Sequence, residues 1–116
     1  MRVVDTSAWI EWILGSETRE SVANELPPDD PWVVPTIVQY ELARWLTREM
    51  SAAVAASTIA FSTELVVRFL DTEVATKAVD YVNRYGLAMA DSIIYATAID
   101  TGADLLTCDA HFAELP

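Results

Sequence analysis

Four acidic residues carry the chemistry that this sequence is best equipped to perform, namely Asp5, Glu41, Asp91 and Asp109. Carboxylate oxygens without His or Cys as a co-ligand suit Mg²⁺ or Mn²⁺ rather than zinc. Such an ion lowers the pKa of a bound water and stabilises the charge that builds on a phosphodiester. Four carboxylates gathered without a cation would repel one another strongly. Their convergence would therefore indicate metal-dependent phosphodiester hydrolysis without a protein nucleophile.

Each of these acids also has a structural interpretation. Asp5 can cap the first helix, as Thr6 or Ser7 also can, and Asp91 can complement the N-terminus of a later one. Asp109 can cap the last helical turn, and Glu41 can pair with an arginine of its own helix. Taken singly, each acid is explained in this way. Only their placement by the predicted elements favours a shared site.

Short apolar segments alternate with capped helical segments along the whole chain. Strands are predicted over residues 2–4, 32–34, 65–70 and 104–107. Helices with their caps and stops are predicted at 6–15, 16–25, 36–50, 51–62, 71–86 and 88–102, with a loop at 27–31 and a last helical turn at 109–113. No two strands are close enough to form a hairpin. The pattern predicts one α/β domain over residues 1–116, a three-layer sandwich with a mainly parallel sheet of four to five strands.

That architecture places the acids near one edge of the sheet. Asp5 follows the first strand directly, and Asp109 lies just past the fourth, so both belong to the carboxyl edge where ligands of parallel sheets bind. Asp91 lies in the first turn of its helix. Glu41 lies one to two turns into the third helix, with Arg44 and Arg48 three and seven residues further on. These arginines either contact a substrate phosphate beside the metal site or form ion pairs along the helix.

Composition limits the alternatives. The net charge of −11 argues against binding nucleic acid by bulk electrostatics, unless a cation reverses the sign locally. The longest apolar runs are too short to span a bilayer, and the first residues lack the order of a signal peptide. A single cysteine, Cys108, favours a reducing, cytoplasmic setting. Trp9 and Trp12 share one short helix, and at least one of them is expected at an interface with another chain.

Several segments together resemble a known family. They are VVDTS at residues 3–7, the helix that carries Glu41, ADSIIYATA at 90–98 and LTCDAHF at 106–112. In this order they resemble the PIN domain over essentially the whole chain, and within it the VapC-type toxins of bacterial toxin–antitoxin pairs. The resemblance implies that Asp5, Glu41, Asp91 and Asp109 hold the metal. Members usually continue into a last edge strand after the Asp109 motif, whereas this sequence runs to Pro116. Either that strand lies outside the given sequence or the fold does without it, and the metal site is expected to be retained in both cases.

The resemblance also implies supporting residues and partners. Thr6 and Thr107 would hydrogen-bond among the acids, and Mg²⁺ or Mn²⁺ would be the cofactor. The activity would be endonucleolytic cleavage of single-stranded RNA by the toxin of a type II toxin–antitoxin system. A homodimer and inhibition by a cognate antitoxin protein are further expectations.

Three other functions fit parts of the sequence. A PIN-like domain can act as a binding module without catalysis, although all four acids are present. A DNA-directed nuclease would use the same carboxylates, since they do not read the 2′-hydroxyl. A receiver-type signalling domain is also small and acidic, but it needs a lysine late in the chain. The only lysine here, Lys77, falls in the middle of a helix, which disfavours that function.

Overall fold

The computed structural model describes residues 1–15 and 31–107. In chain order they form β1 (Arg2–Val4), α1 (Thr6–Leu14), β2 (Trp32–Pro35), α2 (Thr36–Glu49), α3 (Ala52–Ser62), β3 (Val66–Arg68), α4 (Thr72–Tyr85), α5 (Met89–Thr101) and β4 (Asp104–Leu106). The helix predicted at 16–25, most of the loop at 27–31 and the turn at 109–113 lie outside the described residues, as does Asp109. None of the helices in the two described ranges meets the length and hydropathy of a membrane span.

The strands form one parallel sheet in the order β3-β2-β1-β4. Val3 of β1 lies opposite Val33 on one side and Leu105 on the other. On the outer side of β2, Val34 lies opposite Val67. The predicted α/β fold with a parallel sheet flanked by helices is confirmed. Residues 1–15 and 31–107 supply four strands to this sheet.

The core lies against the two central strands. Val3, Val4, Val33 and Val34 are all buried, as expected for strands of a parallel sheet that is covered on both faces. Helices α1, α2 and α5 supply the side chains that cover them, including Trp9, Val38, Leu42, Leu46 and Ile94. On α2, the buried residues recur every fourth position and lie on one face of the helix. Glu41 and the residues that follow it on the other side of the helix are therefore not part of the core.

The start of α1 is capped by Asp5, one of the candidates beside Thr6 and Ser7. The Asp5 Oδ1 accepts a hydrogen bond of 3.0 Å from the Ala8 N–H. Asp5 has an extended backbone (φ −78°, ψ 173°), which is the usual conformation of a capping residue. The strand-end acid therefore also initiates the helix.

The other boundaries shift by one to a few residues. Pro35 extends β2 by one residue beyond the predicted strand and precedes α2 in an extended conformation. Ser51 and Asp71 cap α3 and α4, within the predicted bounds. Strands β3 and β4 are shorter than predicted. The three helices predicted to stop at glycine do so at Gly15, Gly86 and Gly102.

Candidate functional site

Asp5 is a buried carboxylate held by three donors. Its residue is only 3% exposed, and it follows the central strand β1 directly. Oδ1 accepts hydrogen bonds from Ser7 Oγ at 2.8 Å and from the Ala8 N–H at 3.0 Å, and Oδ2 accepts one from Thr107 Oγ1. Charge-assisted hydrogen bonds of this kind offset the cost of removing a carboxylate from water. Asp5 is therefore fixed in orientation before any ligand binds.

Thr107 connects this carboxylate to the neighbouring strand. It follows β4, and its hydroxyl lies 3.4 Å from Ser7 Oγ as well as donating to Asp5. The backbone N–H of Asp5 also donates to Leu106 O, at 3.1 Å. The carboxyl ends of β1 and β4 are thus joined through side chain and backbone, at the edge where the sequence placed the acids.

Glu41 approaches the same edge from α2. Its Oε1 accepts a 2.7 Å hydrogen bond from Thr6 Oγ1, the side chain adjacent to Asp5. Within the described residues, Glu41 forms no ion pair with Arg44 or Arg48. Its contact is the hydrogen bond from Thr6, and not an ion pair along its own helix. Thr6 thus donates to Glu41, and Thr107 donates to Asp5.

A groove of about 450 Å³ opens beside Thr6 and Glu41. Arg44 and Arg48 line it together with Glu41, so one face of α2 presents an acid followed by two cations. The remaining lining is mainly apolar or aromatic and comes from α1, α2 and the start of α5: Ile10, Ile37, Tyr40, Trp45, Met89 and Ala90. The groove thus combines carboxylate, guanidinium and aromatic groups along one helix.

Asp91 lies at the start of α5, between two cavities. Met89 and Ala90, the two residues before it, line the groove described above. Asp91 itself is half-buried and lines a second cavity of about 340 Å³ with residues of the preceding turn. The first turn of a helix is a favourable position for a carboxylate because the N–H groups there carry partial positive charge.

Three tyrosines stabilise the turn that carries Asp91. The Tyr81 and Tyr85 rings stack on α4, and each meets the Tyr95 ring edge-on, with centroids 4.8 Å and 5.9 Å away. Burial raises the pKa of Tyr95, and the neighbouring tyrosines raise it further. Tyr95 lies one helical turn after Asp91, so this packing fixes α5 against α4 just below the acid.

The side-chain oxygens at this edge of the sheet are of the kind that binds a hard divalent cation. The groups around Asp5 and Glu41 are carboxylate and hydroxyl oxygens, the ligands that Mg²⁺ and Mn²⁺ prefer. Within residues 1–15 and 31–107, however, no three His, Cys, Asp or Glu side chains are grouped so as to hold a metal ion. Asp109, the fourth predicted acid, lies outside these ranges. The described acids therefore supply suitable ligands but not, by themselves, a complete site.

Two residues of this region make contacts that the sequence did not predict. Ser7 was a candidate helix cap, and its hydroxyl donates to Asp5. The signal was its position two residues after a strand-end acid, a spacing that favours such local hydrogen bonds. Tyr40 was assigned no role from the sequence, yet it lines the groove beside Glu41. Its place one turn before Arg44 indicated the same helix face.

Comparison with known proteins identifies the family. The family model described as the PIN domain matches residues 2–116. The chain belongs to the PIN-domain family. No curated protein matches the sequence.

Solved structures share the PIN-domain fold at low sequence identity. A toxin–antitoxin complex from Klebsiella pneumoniae is similar with a TM-score of 0.83 and 20% identity, covering 100% of this chain and 93% of that one. VapC20 of Mycobacterium tuberculosis, described as a toxin that cleaves the sarcin–ricin loop, gives 0.80 and 19%, covering 97% and 93%. VapBC2 of Rickettsia felis, bound to a DNA fragment from its promoter, gives 0.76 and 16%, covering 99% and 92%. At these identities the likeness establishes the fold.

Proposed function

We propose that this PIN domain is a metal-dependent endoribonuclease that hydrolyses single-stranded RNA. The observation that carries the proposal is the pair of oriented carboxylates at one sheet edge: Asp5 fixed by Thr107, and Glu41 fixed by Thr6. Thr6 is adjacent to Asp5 in the chain, so the two acids are connected through a single residue. Membership of the PIN family supports the same function.

Asp5, Glu41 and Asp91, together with Asp109, are the residues proposed to hold Mg²⁺ or Mn²⁺. When bound, the ion supplies an activated water and stabilises charge on the phosphodiester. The chain's own contribution is orientation. Thr107 and Ser7 fix the Asp5 carboxylate, and Thr6 fixes Glu41, so that their oxygens need little rearrangement when a cation arrives.

The groove supports a strand of RNA as the substrate. Arg44 and Arg48 line it beyond Glu41 and can contact phosphates flanking the cleaved bond. This places positive charge locally on a chain of net charge −11. The strongly negative net charge predicts that the protein as a whole attracts RNA weakly. Binding therefore depends on the cation and on these two side chains.

We extend the proposal to the cellular role: a toxin of a type II toxin–antitoxin pair that acts in the cytoplasm as a homodimer. Support comes from the similar fold of the Klebsiella toxin–antitoxin complex and of VapC20. The surface of α4 and α5 also exposes apolar side chains, among them Val79, Val82 and Met89, as surfaces that contact other chains often do. Light scattering on the purified chain tests whether it is a dimer. Co-expression with the product of the neighbouring gene tests whether that product inhibits it as an antitoxin.

The activity is tested by RNA cleavage with Mn²⁺, comparing the wild type with Asp5→Asn and Glu41→Gln. We expect cleavage to fall about a hundredfold or more in each variant, because several kcal/mol of charge stabilisation are removed. Asn at position 5 can still accept the hydrogen bond from the Ala8 N–H, and Gln at position 41 can still accept from Thr6. Loss of activity with an unchanged unfolding midpoint would therefore report chemistry rather than folding.

Asp80→Asn is the matched control, since it removes one exposed carboxylate from α4 and should cut RNA like the wild type. A single-stranded DNA of the same sequence tests the alternative nuclease function. If Asp5→Asn and Glu41→Gln both cleave RNA as fast as the wild type, the catalytic assignment is wrong. If the wild type shows no Mn²⁺-dependent cleavage of either nucleic acid, the chain is a binding module.

A further inference from the structure

The groove contains an exposed aromatic ring that packs against no other ring of the described chain. Tyr40 is 61% exposed, on a face of α2 away from its buried residues Val38, Leu42 and Leu46. In the two described ranges no other aromatic ring pairs with it, and its hydroxyl makes no hydrogen bond. By contrast, Tyr81, Tyr85 and Tyr95 all pack on one another. Tyr40 is therefore available to a ligand.

The neighbours of Tyr40 give this ligand a chemical class. Glu41 is next to it in the chain, and Arg44 lies four residues on, about 6 Å along the helix axis. All three line the same groove. Arg44 forms no ion pair with any residue in the described part of the chain, so its guanidinium is available for an anion. An accessible aromatic face beside an unpaired guanidinium is the combination that single-stranded nucleic acids use, with stacking for the base and charge for the phosphate.

We propose that Tyr40 stacks against one nucleobase of the bound strand, while Arg44 contacts an adjacent phosphate. The subsite rests on the ribonuclease function proposed above and adds a base-binding position to it. Stacking tolerates any base because every base has an aromatic face. The subsite therefore positions the strand in the groove without selecting a particular sequence. An apolar segment of a partner protein is the competing occupant, because Ile10, Ile37 and Trp45 also line the groove.

The test is binding of a short fluorescein-labelled single-stranded RNA, measured by anisotropy with Mg²⁺ present. All proteins carry Asp5→Asn, so that cleavage does not consume the probe. We expect Tyr40→Ala to raise the Kd about 5- to 150-fold, the range for loss of one stacked base. Tyr40→Phe should bind nearly as well as the Asp5→Asn parent, because the ring is retained. Phe69→Ala removes another exposed ring, one that does not line the groove, and should not change the Kd.

A set of RNA probes, each with one abasic position, tests whether the binding energy lost in Tyr40→Ala is stacking energy. For one of these probes, the Asp5→Asn parent should bind as weakly as the Tyr40→Ala variant binds the intact RNA. With that same probe, adding Tyr40→Ala should weaken binding little further. If Tyr40→Ala changes neither the Kd for the intact RNA nor the pattern of Kd values across the abasic probes, the proposed subsite is wrong. A segment of a partner protein is then the expected occupant of the groove. Parent protein and wild type that neither bind nor cleave RNA would overturn the ribonuclease function and the subsite together.

Discussion

Thr6 Oγ1 donates a 2.7 Å hydrogen bond to Glu41 Oε1 and thereby joins the first residue of α1 to the second turn of α2. Thr6 is also the residue after Asp5, whose own carboxylate is fixed by Ser7, Ala8 and Thr107. One short segment, residues 5–7, thus positions both acids. A mutation in this segment should therefore affect catalysis even where it removes no carboxylate.

Thr6→Val tests this directly, because it removes the hydroxyl while nearly conserving the shape of the side chain. We expect RNA cleavage to fall about 10- to 100-fold, as Glu41 loses a hydrogen bond of the charged type worth about 1.5–3 kcal/mol. Thr6→Ser retains the donor and should stay within a few fold of the wild type. The measurement is kcat/KM for RNA with Mn²⁺. Equal activity of the Val and Ser variants would show that this hydrogen bond does not position Glu41.

Arg44 and Arg48 should contribute unequally to RNA binding, although both line the groove. Arg48 Nε donates to Glu49 Oε1 at 2.9 Å on an exposed part of the helix. Among the described residues, Arg44 has no such competitor. Arg44→Ala should therefore weaken RNA binding more than Arg48→Ala does. It should also lower the slope of log K against log salt by about 0.7, the value for one phosphate contact on a single strand.

Lys77→Ala is the control for the arginine variants. It changes the net charge by the same amount, but Lys77 lies on α4 beside Glu73, away from the groove. Its salt slope should match that of the wild type. If all three variants lose affinity equally, the groove arginines act only through the total charge of the protein and make no specific phosphate contact.

Local features of the fold and site were readable from the sequence, whereas contacts between distant segments were not. An apolar triplet followed by Asp5 predicts a strand-end acid, and the glycines at 86 and 102 predict helix ends, since both depend on neighbouring residues. The Thr6–Glu41 hydrogen bond joins residues 35 positions apart. It depends on how α1 packs against α2, which the period of either helix does not specify.

The aromatic residues illustrate the same limit. The sequence predicts that at least one of Trp9 and Trp12 lies at an interface with another chain. Trp9 is fully buried, because Trp12, Trp32 and Phe61 surround it, with ring centroids 5.0 to 6.2 Å from its own, whereas Trp12 is half-buried, so the interface stays a prediction for Trp12. These rings come from three different elements. Hydrophobic periodicity places a residue on a helix face but does not show which rings of other elements meet it there.

The exposed ion pair between Asp71 and Arg68 predicts a dependence of stability on pH. Hydrogen bonds from the Val74 N–H and from Arg68 lower the pKa of Asp71 below its ordinary value of 3.8. Because the folded-state pKa is the lower one, this stabilisation is fully present above the unfolded value. It is lost as the pH falls through the folded value. Arg68, whose pKa is raised by Asp71 and Asp100, stays charged throughout this range.

Asp71→Asn isolates that contribution, since Asn can still cap α4 through the Val74 N–H. We expect the wild type to unfold at a slightly higher temperature than the variant near neutral pH. The difference should shrink as the pH falls below about 4. The other acids titrate equally in both proteins and cancel in the comparison. A difference that stays constant from neutral pH to pH 3 would mean that the Asp71 charge does not contribute to stability.

Trp9 should dominate the stability of the aromatic cluster while carrying one unfavourable group. Its side chain is fully buried, and its Nε1–H finds no acceptor among the described residues. Trp9→Ala should cost about 3–5 kcal/mol, the range for removing a large buried ring. Trp9→Phe should cost clearly less, because it keeps a ring against Trp32 and also removes a buried donor whose desolvation costs about 1–3 kcal/mol. Urea unfolding followed by circular dichroism measures both, with Phe69→Ala, an exposed ring, expected within about 0.5 kcal/mol of the wild type. If Trp9→Phe proved as destabilising as Trp9→Ala, the indole N–H would have to be a favourable part of the core.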